Sequence, residues 1–150
     1  WTRPFVAVYE PTSVKEPGTI RSVTYPTVNS AHPGSHVGIC VEHHDGQKDY
    51  IYSSDEADRE ATLAGQLKVA GTYALWSSRQ GSENIVFLGN GTYLQTPHVT
   101  VRSKQPVNVL LERKVDGWYC TSTGACQIIL QGKKLQVTGN TSKKLFFAIR

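Results

Sequence analysis

Apolar and polar residues alternate with a period of two over most of the chain. β-branched and aromatic runs recur roughly every eight to twelve residues between Gly, Pro, Asn and Asp, the rhythm of an antiparallel all-β domain. The pattern predicts strands at 5–9, 19–25, 36–43, 48–53, 67–69, 72–77, 84–88, 92–95, 99–102, 107–113, 118–121, 127–130, 134–137 and 145–149. Four dipeptides supply the turns: Asp45-Gly46, Asn90-Gly91, Asp116-Gly117 and Gln131-Gly132, each with a Gly able to take positive φ between two strands. The expected fold is therefore an antiparallel two-sheet β-sandwich built from hairpins, with very little helix, filling residues 1–150 as one domain.

Two segments depart from the alternation. Residues 5–9 and 145–149 are apolar throughout, which suits strands covered on both faces, either central in a sandwich or sealed by a larger partner. Residues 53–63 open with the capping-box order Ser53-Ser54-Asp55-Glu56 but carry no apolar stripe, so an acidic loop or a single helical turn is expected. The acids Asp55, Glu56, Asp58 and Glu60 lack the alternate spacing and the sharp-turn Gly of a calcium loop.

Composition narrows the class. Charged residues are 19% and hydrophobic ones 39% of the chain, a balance that folds rather than stays disordered. No apolar run approaches the roughly eighteen residues a membrane helix needs. The chain begins at Trp1 and contains no Met, so a processed chain or a fragment of a larger protein is expected. Charge is uneven: residues 1–100 hold 7 Lys and Arg against 10 Asp and Glu, and residues 101–150 hold 9 against 2. A basic C-terminal third suits an anionic partner or a solvated face.

Cys120 and Cys126 flank the stretch Thr121-Ser122-Thr123-Gly124-Ala125, read as a hairpin tip, and a disulfide and two free thiols are both compatible with it. Cys40, in an apolar run, reads as an inert core residue. The sequons Asn90-Gly91-Thr92 and Asn140-Thr141-Ser142 matter only in a eukaryotic secretory pathway. There is no Gly-x-Ser-x-Gly elbow, phosphate loop, dinucleotide fingerprint or zinc-ligand spacing, so no catalytic residue, metal or cofactor is assigned.

Binding chemistry is better represented. Trp76 with Arg79 near it, and the pair Trp118-Tyr119, offer aromatic faces for sugar rings. Arg113, Lys133, Lys134 and Lys143 could meet sulfate or uronate groups, although adjacent residues of a strand point to opposite faces. Core aromatics and edge-protecting lysines are the ordinary alternatives. Nucleic acid is not expected as a partner, because the charge excess is modest and no aromatic reading motif accompanies it, and a membrane is not expected, because no apolar run is long enough to span one.

The order of four segments is more specific than any of these residues. Arg3-Pro4-Phe5-Val6-Ala7-Val8-Tyr9-Glu10-Pro11, then Ile20-Arg21-Ser22-Val23, then the stretch from Val37 to Asp55, then Val86-Phe87-Leu88-Gly89-Asn90-Gly91-Thr92-Tyr93-Leu94 together resemble the C-terminal β-sheet region of bacterial heparinase II/III-type polysaccharide lyases. The similarity runs from residue 3 to about 103. It implies a parent enzyme with an α/α toroid and a central β-sandwich that cleaves uronic-acid polysaccharide by β-elimination, a Tyr or His removing the C5 proton while neighbours neutralise the carboxylate. No residue of this chain matches those catalytic positions. The expected role is a noncatalytic accessory domain that supports the catalytic domains and helps to hold an anionic polysaccharide, in a secreted or periplasmic setting. The alternatives are an independent carbohydrate-binding module, or a domain lending His32, His36 or His98 to a shared active site.

Overall fold

A computed structural model describes residues 7–13, 15, 18–31 and 33–145. Twelve strands follow one another: β1 (Ile20–Thr24), β2 (Val28–Asn29), β3 (His36–His43), β4 (Gln47–Ser54), β5 (Glu60–Leu63), β6 (Leu67–Arg79), β7 (Ser82–Gln95), β8 (Val99–Lys114), β9 (Gly117–Ser122), β10 (Cys126–Leu130), β11 (Lys133–Val137) and β12 (Thr141–Leu145). The helix among the described residues is a short 3₁₀ turn, Pro33–Ser35. All ladders are antiparallel, and the sheet is not closed into a barrel.

The two layers of the sandwich are one hydrogen-bonded sheet folded over. Three long strands, β6, β7 and β8, run through both. The first layer has the order β1-β3-β4-β6-β7-β8-β9-β12, using 73–79 of β6, 82–89 of β7 and 107–114 of β8. The second has β2-β5-β6-β7-β8-β10-β11, using 67–70, 91–95 and 99–102 of the same three strands. Register shifts at Ala70/Gly71, Leu88/Gly91 and Gly91/Tyr93 mark the crease, as expected where bulges turn a strand from one sheet into another. Side chains from both layers meet in one core, Tyr52, Trp76, Leu88 and Leu111 from the first against Leu67, Leu94, Ile128 and Leu130 from the second.

This arrangement corrects three sequence expectations. Segments 67–69 and 72–77, 84–88 and 92–95, and 99–102 and 107–113 are not six strands but the halves of β6, β7 and β8. Asn90-Gly91 is accordingly no hairpin turn. Asn90 takes φ +45° at the crease, where its N–H donates to Asn108 Oδ1 on β8 at 2.7 Å. Nor is 121–125 a hairpin tip: β9 and β10 pair separately with β8, in different layers, and the segment carries the chain between them. Cys120 and Cys126 are not joined in a disulfide, and Cys126 Sγ lies 3.7 Å from Ser122 Oγ.

The other three Gly turns close hairpins as expected, Gln131-Gly132 with successive φ of +50° and +77°, the left-handed pair that matches strand twist. Of the segment 53–63, expected as a loop or helical turn, only 55–59 form a loop, because the Ser54 hydroxyl accepts from Glu56 N at 2.9 Å and ties off a turn instead of starting a helix. Ser53 and Ser54 end β4, and 60–63 form β5, whose backbone is taken up by the ladder with β6. Cys40 on β3 is half-buried, and burial raises its thiol pKa. Of the apolar run 5–9, residues 5 and 6 lie outside the described residues, while Ala7, Val8 and Tyr9 form no strand and are exposed, Tyr9 at 92%, so the expectation of a strand covered on both faces fails there. The run 145–149 falls almost wholly outside the described residues, as does His32.

Candidate functional site at the open end of the folded sheet

β7 has 14 residues and would extend over roughly 45 Å if straight. Its ends instead come together. Glu83, beside its start, accepts a hydrogen bond through Oε1 from His98 N, just past its end, at 3.3 Å. Gln131 N donates to His98 O at 3.1 Å and ties in the β10–β11 turn. Opposite, Arg113 of β8 and Trp118 of β9 are register partners. Gly81, Ser82, Glu83, His98, Arg113, Trp118 and Gln131 thereby line a cavity of about 200 Å³.

The sequence nominated Arg113, Trp118 and His98 from separate arguments, and folding brings them together here. It did not nominate Glu83, because a lone acid in a strand carries no pattern. Glu83 is only 3% exposed, and its Oε2 has no hydrogen-bond partner. Burial raises the carboxyl pKa, against smaller lowering effects from the Thr96 hydroxyl and the His98 N–H. The folded chain thus holds the Glu83 proton more tightly than the unfolded chain does. Its favourable contribution is complete at pH below the ordinary carboxyl value of 4.5 and is lost as pH rises through the folded-state pKa. Glu83→Gln is expected to stabilise the chain by about 1 kcal/mol at neutral pH, with the gain vanishing towards pH 4. Thermal unfolding of both proteins across that range measures it.

The other nominated residues do not converge. Trp76 is 5% exposed and stacks on Tyr50 with ring centroids 4.7 Å apart, and Trp118 is 3% exposed. Neither indole presents an open face to a sugar ring, because both side chains point between the layers. Arg79 faces Asp45 at 3.6 Å. Tyr119 lies on the outer face of the first layer, its hydroxyl donating to Asp116 Oδ2 at 2.9 Å and its ring 4.7 Å from Lys114 Nζ. Lys133 and Lys134 oppose Leu130 and Ile129, so the doublet splits between the two faces of the second layer. Lys143 opposes Cys120 on β12, and its side chain lies outside the described residues.

The histidines also differ in availability. His36 is buried with both ring nitrogens engaged, Nε2 at 2.6 Å from Ser30 Oγ and Nδ1 at 2.7 Å from the Tyr52 hydroxyl. His98 is exposed at the rim of the cavity. Among the described residues no group of three or more His, Cys, Asp or Glu side chains could hold a metal ion.

Residues 22–113 match the family of endo-acting ulvan lyase C-terminal domains. The chain belongs to this family. No curated protein and no solved structure matches it. The ulvan lyase match runs from β1 through most of β8, and so includes the crease, Glu83, His98 and Arg113, but not β9 to β12. The sequence resemblance was to a polysaccharide lyase C-terminal region, and at that level family membership agrees with it.

Proposed function

We propose that this chain is the noncatalytic C-terminal β-domain of an exported endo-acting polysaccharide lyase of the heparinase II/III type, where it braces the catalytic domains and helps to hold an acidic polysaccharide such as ulvan. Membership of the ulvan lyase C-terminal domain family carries the reading. The outer face of the first layer adds support for the bracing role. Ile39, Ile51, Leu75, Phe87 and Leu110 stand opposite one another across β3, β4, β6, β7 and β8, on the side away from the core row Tyr52, Ala74, Leu88 and Val109. Ile39 is buried, while Ile51, Leu75, Phe87 and Leu110 are half-buried and leave part of an apolar row open on an outer sheet face, which suits contact with further protein.

The test is enzymatic. Incubated with ulvan, alginate and heparin, the chain alone is expected to release no unsaturated product absorbing in the ultraviolet, while a lyase lacking this segment is expected to unfold at lower temperature than the whole enzyme. Release of unsaturated sugar by the chain itself would overturn the noncatalytic reading. A second reading has one observation in its favour: exposed His98 shares a cavity with Arg113, a base and a carboxylate-neutralising cation of the kind β-elimination uses. In that case His98→Ala in the whole lyase lowers kcat with the thermal midpoint unchanged.

A further inference from the structure

We propose that the outer face of the second layer is a binding groove for an acidic polysaccharide chain, which lies across the strands with Arg102 and Lys104 holding its anionic groups and Gln127 and Gln136 its hydroxyls. This rests on the polysaccharide-holding role above and gives it a place. The register creates the row: Tyr93 opposes Arg102, Arg102 opposes Gln127, and Gln127 opposes Gln136, across β7, β8, β10 and β11. Directly opposed residues share a face of a sheet. The alternate row, Leu94, Val101, Ile128 and Leu135, takes the core side, so this one faces outward.

At the crease end the row opens into a groove of about 640 Å³, within the size range of ligand sites. Pro106, Gly124 and Ala125 give it apolar surface for the carbon faces of sugar rings, and no Asp or Glu among the described residues lines it. Arg102 and Lys104, two residues apart on β8, both line it. Among the described residues neither has an ion-pair partner, whereas Arg21, Arg59, Arg79 and Lys114 each face a carboxylate. Arg102 is also positioned in advance. Its guanidinium lies 5.6 Å from the Tyr93 ring centroid, and Tyr93 OH donates to Gln95 Oε1 at 2.6 Å.

Charge gives the row a direction. On β5 and β6 it continues through Ala70 to Glu60, whereas Lys134 stands in the adjacent outward row next to Gln136. An anionic chain therefore runs from Tyr93 towards β11, over about 14 Å at ordinary strand spacing. Strand alternation also means that no basic doublet marks the site: its cations lie at i and i+2 on β8, and its amides come from two other strands.

The test titrates the chain with alginate (carboxylate only), dextran sulfate (sulfate only) and neutral dextran, each at low and high salt. Binding of one or both acidic polymers but not dextran is expected, and the one that binds identifies the anion recognised. Arg102→Gln/Lys104→Gln is expected to weaken that binding about tenfold or more and to flatten its salt dependence, as loss of two charge-assisted contacts requires. Arg79→Gln, which also removes a positive charge but lies in the other layer, keeps the original affinity. An unchanged affinity in the double variant, or an equal loss in Arg79→Gln, would overturn the groove while leaving the polysaccharide-holding role standing. Failure of the unaltered chain to bind either acidic polymer overturns both. All three positions are exposed, so a preserved thermal midpoint separates lost binding from lost folding.

Discussion

Gly91→Ala is expected to lower stability by about 3 kcal/mol, the upper part of the range for overpacking a core, and to lower the thermal midpoint by roughly 10 °C. The cause is proximity. A Cβ at position 91 would stand 2.5 Å from Ala70 O, 2.5 Å from Leu88 Cδ1 and 2.8 Å from Gly71 Cα. Two of these three atoms belong to the backbone and cannot swing aside. β6 and β7 approach this closely because both change layer at the same level, where Gly71 and Gly91 are register partners. Alanine at 91 forces the crease open and separates the layers that the core joins. The control is Gly46→Ala: a Cβ there meets nothing within 4 Å, so the cost comes only from its φ of +83° and is expected to be about 1 kcal/mol. Chemical denaturation of both variants measures the difference, and equal costs would show that crowding at the crease is not what position 91 controls.

Trp118→Ala is expected to cost about 3–5 kcal/mol, a large part of the 5–15 kcal/mol that typically holds a domain together. Trp118 is enclosed by the core and forms one wall of the open-end cavity. Its loss joins that cavity, where the two ends of β7 meet, to the interior. A tryptophan used as a surface platform for sugar would behave in the opposite way, losing affinity for polysaccharide while the melting curve stayed in place. Thermal unfolding and glycan titration of the same variant therefore discriminate the two roles. A fully stable Trp118→Ala chain that no longer binds acidic polymer would restore the sugar-stacking role that burial argues against.

Local chemistry was readable wherever a signal fits within a few neighbouring residues. Asp45-Gly46 closes β3 onto β4, Gln131-Gly132 closes β10 onto β11, and the acids at 55–58 stay in a loop because Ser54 satisfies the backbone locally. Signals whose meaning depends on distant pairing misled. Asn90-Gly91 has the composition of a hairpin turn, and only the continuing ladder of β7 with β8 on both sides of it makes it a crease. Cys120 and Cys126 are near in sequence, but their strands flank β8 in different layers. For the candidate sites the division is similar. Arg113, Trp118 and His98 were visible as residue types, whereas Glu83 drew no notice because its significance is its 3% exposure, which no neighbouring residue announces.

Alternation and turn chemistry, both properties of adjacent residues, were enough by themselves to determine that this chain forms antiparallel strands with almost no helix, and an ordered set of segments was enough to point to a polysaccharide lyase C-terminal region. The tertiary structure alone decided that three strands serve both layers, that Trp76 and Trp118 face inward, and that Arg102, Gln127 and Gln136 form one row. The physical reason is that a strand's period of two divides residues between its faces without stating which face is covered. That is decided when the sheet folds at Gly71 and Gly91, turning one side into core and leaving the other to solvent.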